Sequence, residues 1–409
     1  MSEDRKLGIC GGVDTHRDVH LAAVVDTAGR VLGTAPFRAD TTGYEQLGDW
    51  LRSHGNVIRV GVEGTGSYGA GLSRYLTKRG VEVVEVNRTN RQLRRRLGKS
   101  DVTDAQAAAR AALNGEAIGL PKSGDGPVEA IRMLRVARRS AIKARTQAIN
   151  QLHALVVTAP HQVKHHLQGL SAKARVKTCA GFRPGTDRTT IAYAKMALRL
   201  LARRYQTLTA EIGELTTEIN RLCARANPAL LATPGIGADT AATLLVTAGD
   251  NPERMRSESS FAALCGASPV QASSGQTIRH RLNRGGYRQA NNALWRIAIT
   301  RMSYDQTTIE YVRKRQAEGK TRREIIRCLK RHIAREIYRL LTNPPPTPHG
   351  THLRTIRQKA RITLTHAAQA LHTHPNRISE LERGIYHNHH LATRYQQWLT
   401  APRPQQNSI

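Results

Sequence analysis

Residues 7–38 read LGICGGVDTHRDVHLAAVVDTAGRVLGTAPFR, and how that stretch divides decides the fold. LGICGGVD at 7–14 and DVHLAAVVD at 18–26 are short apolar runs that each end in an aspartate. TAGR at 27–30 punctuates as a turn and VLGTAPFRA at 31–39 continues as a third strand, so the chain opens on a meander. Beyond it, TTGYEQLGDWLRSHG at 41–55 has helical spacing and VIRVGVE at 57–63 is an apolar run ending in Glu63. GLSRYLTKRG at 71–80 is helical again and VEVVEV at 81–86 is a strand. The order β-β-β-α-β-α-β-α over 7–115 predicts an α/β domain, placed at 1–120, on a mixed sheet.

The rest reads as helical. Residues 121–228 form a helical, coiled-coil-like region interrupted near Pro160 and at GFRPGTDR. Leu201, Tyr205, Leu208, Ile212, Leu215, Ile219 and Leu222 alternate spacings of four and three, an a/d seam that self-association or an antiparallel helical hairpin would bury. A mainly α-helical domain is expected at 229–342, then a Pro-rich linker at 343–352 and a small all-α segment at 353–400.

Lys and Arg number 63 against 31 acidic residues, a formal net charge of +32, and the charge is gathered in runs at 91–99, 279–288 and 313–331. Such runs point to a polyanionic partner, with nucleic acid foremost. The five cysteines form no CxxC pair, which argues against a zinc knuckle or a disulfide framework. The opening MSEDRKLGIC carries no apolar targeting segment and no stretch is long and apolar enough for a membrane span, so the chain is expected to be cytoplasmic without a membrane partner.

In a chain this basic, KSDVTDAQ at 99–106 stands out. Asp101 and Asp104, at i and i+3, share one face of the helix they begin. Asp101 could be a simple N-cap and Asp104 a first-turn carboxylate favoured by the helix dipole. Asp14 and Glu63, however, each end a strand, and if those strands are neighbours their ends converge on that helix start. Four such carboxylates repel one another unless a divalent cation neutralises them, and hard oxygen donors suit Mg²⁺ better than Zn²⁺.

GVDTHRDVH, VEGTGSYG and KSDVTDAQAAA, in that order, resemble the three motif blocks of DEDD-type insertion-sequence transposases. The resemblance implies a RuvC-like ribonuclease H fold for the first domain, with Asp14, Glu63, Asp101 and Asp104 as its Mg²⁺-binding catalytic tetrad. LCGASPVQASSGQTIRHRLNRGGYRQANN at 264–292 resembles the C-terminal domain of the same family. That likeness implies a serine nucleophile linked covalently to DNA, at Ser274 with Ser273 as the alternative; beside it Arg279, His280 and Arg281 are available to hold phosphates, a solvated basic loop being the plain alternative.

The family also implies DNA partners at the element ends and target, a noncoding guide RNA, and assembly as a homodimer or tetramer. Arg91, Arg94, Arg95, Arg96 and Lys99 suit nucleic-acid binding. TPGIGADTAATLL resembles a helix-hairpin-helix hairpin, in which Gly235 and Gly237 would face a phosphate. Residues 353–399 resemble a Cro/repressor-type helix-turn-helix, with Asn376 and Arg377 as base readers; family members generally lack such a tail. A recombinase that excises and inserts its own element is the expected function. A junction-resolving nuclease and a noncatalytic DNA-binding regulator are the alternatives.

Overall fold

The computed structural model describes residues 7–86, 100–277, 280–344, 350–384 and 388–401. The chain forms two compact units, residues 1–126 with 248–261, and residues 127–247 with 262–409.

The first unit is built on a five-stranded sheet. Its strands are β1 (Gly8–Asp14), β2 (Val19–Asp26), β3 (Val31–Arg38), β4 (Asn56–Glu63) and β5 (Val83–Val86), in the spatial order β3-β2-β1-β4-β5. The β1–β2 and β2–β3 pairs are antiparallel, while β1–β4 and β4–β5 are parallel, giving the mixed sheet expected from the sequence. Helices α1 (Thr41–His54) and α2 (Ala70–Lys78) give Leu47, Leu51, Leu72 and Leu76 to one face, packed on Ile9, Val13, Ala22, Val24, Val60 and Val62. Helix α3 (Asp101–Leu113) covers the other face through alanines: Ala108 and Ala112 meet Val84 and Val86, and Ala109 meets Cys10 and Val25.

That second contact is unusually close. A β-carbon on Gly12 would drive into the backbone of Ala105 and Ala109, and one on Gly61 into the carbonyl of Ala108. Glycine in the strands and alanine in the helix therefore let α3 lie directly on β1 and β4, which fixes where its first turn sits.

Residues 248–261, within the sequence-assigned 229–342 segment, pack with this first unit. Polar ties hold them there: Asn251 Nδ2 donates to the Pro121 carbonyl at 3.0 Å and Arg256 Nη2 to the Ile118 carbonyl at 2.8 Å.

His20 on β2 is fully buried, stacked on Tyr44 at 5.7 Å, and both its ring nitrogens lack a hydrogen-bond partner among the described residues. Burial, aided by the charge of His16, lowers its pKa below the usual histidine value. The native state therefore resists a proton that the unfolded chain accepts, so stability is lost as pH falls through the ordinary histidine range. We expect the Tm of this unit to drop between pH 7.5 and 5.5, and His20→Phe to flatten that slope; equal slopes for the two proteins in thermal melts would refute this.

In the second unit, α4 (Pro127–Thr158) and α7 (Thr190–Ala226) form a long antiparallel hairpin, joined through α5 (His161–Leu167) and α6 (Ala172–Ala180). The antiparallel sense follows from the pairings: Leu152 shares a core with Leu198 and Ala202, Arg145 lies over the Tyr205 ring, and Arg138 donates to Thr216. The seam on α7 thus finds cover within the chain, with Leu201 and Tyr205 in the α4 core.

The chain continues through α8 (Pro228–Ala232), α9 (Ala238–Ala248), α10 (Glu258–Leu264), and a two-stranded ribbon of β6 (Val270–Gln271) and β7 (His280–Arg281). Helices α11 (Arg288–Tyr304), α12 (Gln306–Ala317) and α13 (Arg322–Thr342) complete that part. Last come α14 (Thr351–Lys359), α15 (Leu364–Ala370), α16 (Pro375–Glu382) and α17 (His389–Thr400), around a core of Leu353, Ile362, Leu371, Ile378, Leu381 and Tyr395.

That small core holds an ion pair. Arg357 Nε and Nη2 donate to the two Glu382 oxygens at 2.7 and 2.9 Å, and Tyr395 Oη donates to Glu382 at 2.7 Å. Removing one charge strands the other in apolar surroundings. Glu382→Gln is expected to cost about 3 kcal/mol, read as an early melting step of the tail by circular dichroism; an unshifted transition would show that water reaches the pair.

Candidate metal centre and nucleic-acid surfaces

Strand alternation aims the first acid. On β1, Ile9 and Val13 face the α1–α2 core, whereas Cys10 and Gly12 face α3. Asp14, two residues after Gly12, therefore falls on the α3 face. On β4, Val60 and Val62 face α1 and α2 while Gly61 meets Ala108, which puts Glu63 on the α3 face too. Because β1 and β4 are parallel, with Val13 beside Val62, both acids leave the sheet at the same end. Thr15 Oγ1 donates to the Glu63 carbonyl at 2.8 Å and ties the two strand ends together.

The first turn of α3 carries Asp101, which is exposed, and Asp104, which is 4% exposed. Asp101 does not cap the helix, contrary to the simplest sequence reading. Ser100 does: its Oγ accepts from Thr103 N at 3.2 Å, and Thr103 Oγ1 accepts from Ser100 N at 3.1 Å, closing a capping box. Serine one position earlier takes the capping geometry and leaves the Asp101 carboxylate to meet the end of β1.

There His16 completes a trio. Its Nε2 lies 3.1 Å from Asp14 Oδ2 and 3.5 Å from Asp101 Oδ2, and one ligand atom from each of the three residues lies within 4.8 Å of the others. Glu63 and Asp104 contribute no atom to that group. The Asp14 pKa is raised, first by burial and then by the charges of Asp104 and Asp101, against the opposing pull of His16. Asp14 is thus a desolvated carboxylate crowded by like charges, the electrostatic condition that a cation relieves. The donor set of carboxylate oxygens with one imidazole fits a divalent metal. His16 lies inside GVDTHRDVH but is not among the carboxylates that the motif blocks point to; its one signal in the sequence is a histidine two residues after a strand-ending aspartate.

In the second unit, Ser274 is exposed in a tight turn. Ser274 and Thr277 exchange backbone hydrogen bonds at 3.2 and 3.1 Å around Gly275, whose φ is +55°. Ser273 is half-buried, and its Oγ accepts from Gln271 Nε2 at 3.4 Å. Arg281, exposed on β7, pairs in register with Val270. Arg279 lies outside the described residues, as do Arg91, Arg94, Arg95, Arg96 and Lys99.

Gly235 turns the hairpin before α9 with φ +79°, and Arg301 Nε donates to the Pro234 carbonyl at 2.8 Å. Gly237 is exposed and a β-carbon there would meet nothing. Asp239, in the first turn of α9, is paired with Arg138 at 3.2 Å and Arg296 at 2.8 Å, so two guanidiniums offset the one acid beside this hairpin. Asn376 and Arg377 are exposed at the start of α16, with Arg377 bound to Glu380 at 3.0 Å. Arg322, Arg323 and Arg327 of the third basic run are exposed on α13. Among the described residues, no helix is long and apolar enough to cross a membrane.

Two family matches cover the metal centre and the serine and glycine turns. Residues 11–159 match the DEDD-type IS110 family, described as transposase, and residues 227–313 match the transposase IS116/IS110/IS902 family. The first stretch contains Asp14, His16, Glu63, Asp101 and Asp104; the second contains Gly235, Ser273 and Ser274. The chain is also 32% identical over 161 residues to an insertion element IS110 uncharacterized 43.6 kDa protein of Streptomyces coelicolor. That alignment covers 39% of this chain and 38% of the relative. The tail from α14 onward lies outside both family matches. Residues 11–159 and 227–313 are thus similar to the two transposase domains of the IS110 family.

Proposed function

We propose that this protein is a DNA recombinase that moves its own insertion sequence by metal-dependent phosphoryl transfer. The observation that carries the reading is the convergence of Asp14, Glu63 and the first turn of α3 at one end of a mixed sheet, inside a DEDD-type transposase match. A sheet with two antiparallel and two parallel strand pairs in the order β3-β2-β1-β4-β5 supports a RuvC-like ribonuclease H fold.

In this reading Asp14, Glu63, Asp101 and Asp104 hold Mg²⁺ or a related divalent ion. The bound ion supplies charge stabilisation to the attacking and leaving oxygens of the phosphodiester. The chain's own residues do the rest. Buried Asp14 anchors the centre, and the glycine–alanine contact of α3 with the sheet keeps Asp101 and Asp104 from drifting. Ser274 is the nucleophile: its oxygen gives up its proton as it bonds to a DNA phosphorus, the bridging oxygen of the cleaved strand leaves and takes up a proton as a free hydroxyl, and the covalent link conserves the phosphodiester energy for rejoining. Its exposure on a tight turn suits a backbone-bound substrate. Ser273, half-buried and already hydrogen-bonded, is the weaker candidate.

The basic runs, the Gly235–Gly237 hairpin and Asn376 and Arg377 of the tail would contact nucleic acid, phosphates first and base edges from the tail. A noncoding guide RNA and a homodimeric or tetrameric assembly complete the proposal.

The test is to incubate the protein with element-end DNA and Mg²⁺, denature it, and look for a DNA-linked species. The proposal expects an adduct that Ser274→Ala abolishes and Ser273→Ala retains. Strand cleavage without an adduct would favour a junction-resolving nuclease, and neither product would favour a noncatalytic regulator.

A further inference from the structure

We infer that His16 is a ligand of the carboxylate metal centre and tunes it toward Mn²⁺ over Mg²⁺; the inference rests on the metal-site reading given above. Neither the four carboxylates that the motif blocks point to nor the family match assigns His16 a part.

A divalent ion with octahedral ligands at about 2.1 Å places adjacent donor atoms about 3.0 Å apart. His16 Nε2 stands 3.1 Å from Asp14 Oδ2 and 3.5 Å from Asp101 Oδ2, near the spacing of donors on adjacent vertices. A single ring nitrogen has one proton or one lone pair. Set between two carboxylates, it can serve one of them with a proton, or point its lone pair at a cation that all three share. The second arrangement satisfies both acids, whereas the first leaves the Asp101 contact long.

Position supports it as well. His16 follows Thr15, whose hydroxyl is fixed to the Glu63 carbonyl on the neighbouring strand, so the backbone that presents the imidazole is held by the same strand ends that present the acids. The ring is half-exposed, which leaves its outer edge open to water or a DNA phosphate. Replacing one oxygen donor by an imidazole nitrogen softens the donor set. Mg²⁺ favours all-oxygen surroundings; Mn²⁺ shares that liking for oxygen but opens the first-row series, whose later members take imidazole readily, so of the two ions it loses less from a nitrogen donor.

The experiment titrates the full-length protein, His16→Ala and Asp14→Asn with Mn²⁺ in the absence of DNA. Loss of the free-ion electron paramagnetic resonance signal reports binding, Mg²⁺ is measured by competition, and spin-echo modulation looks for nitrogen coupled to bound Mn²⁺. The expected result has three parts: Mn²⁺ binding by the parent protein with a nitrogen coupling, loss of that coupling in His16→Ala with affinity for Mn²⁺ reduced about tenfold or more, and a much smaller change for Mg²⁺. Circular dichroism must show His16→Ala folded, as a half-exposed loop position allows. Equal Mn²⁺ affinity and no nitrogen coupling in the parent would overturn the inference and reduce His16 to an ion-pair partner, with the carboxylate site intact. No binding of either ion by the parent protein would overturn the metal-site reading itself.

Discussion

Asp14→Asn is expected to lower metal-dependent strand cleavage at least about 10³-fold, since it removes the buried anchor of the charge-stabilising centre. The same substitution should not unfold the protein. Burial and the neighbouring Asp104 and Asp101 raise the Asp14 pKa, so the native state disfavours its charged form more than the unfolded chain does. For a carboxylate raised in this way, the cost to stability is absent below its ordinary pKa and grows as pH rises through the folded value, persisting at neutral pH. The neutral amide relieves that cost. Without metal, Asp14→Asn should therefore melt at the same temperature as the parent or higher, while added Mn²⁺ or Mg²⁺ should raise the Tm of the parent only. Loss of cleavage accompanied by a lower metal-free Tm would assign Asp14 a structural part instead.

Gly12→Val should have the largest effect on folding. A β-carbon at this position meets backbone atoms of Ala105 and Ala109, which cannot swing aside as a side-chain tip can. Either α3 lifts from the sheet or β1 buckles, at a cost on the order of 5 kcal/mol. Both responses pull the first turn of α3 from the ends of β1 and β4, so cleavage is lost with the fold. Gly66→Ala, where an added β-carbon meets nothing within 4 Å, is the steric control and should leave Tm unchanged. A Gly12→Val protein with parental Tm by calorimetry would show that the helix does not need this close seat.

Much of the first unit was legible because its signals are local. The three runs at 7–38, the apolar run ending in Glu63 and the helical spacings between them carry strand and helix periodicity within a few residues. The placement of Asp14 and Glu63 at strand ends followed from where those runs stop. What makes them neighbours, the parallel pairing of β1 with β4, is a long-range contact that spacing alone does not give.

The misses share a cause. Asp101 read as a cap because aspartate is a good one, but Ser100 with Thr103 forms a reciprocal pair that outcompetes it. The alanine run of α3 read as helix propensity, while its use is to fit against Gly12 and Gly61, residues dozens of positions away. His16 passed unnoticed because its proximity to Asp101 depends on that fit. The seam of α7 gave a periodicity without naming its partner, and α4 of the same chain supplies it. In each case the sequence states a local preference and the tertiary contact decides its use.

The acids at the ends of β1 and β4 and the start of α3 are expected to hold a divalent ion. The most direct test is a crystal soaked in Mn²⁺ and measured for anomalous scattering. A peak is expected in ligating distance of Asp14 and Asp101 oxygens, with further carboxylate density from Glu63 or Asp104. Clear density for all four side chains, with no peak among them at saturating Mn²⁺, would contradict it.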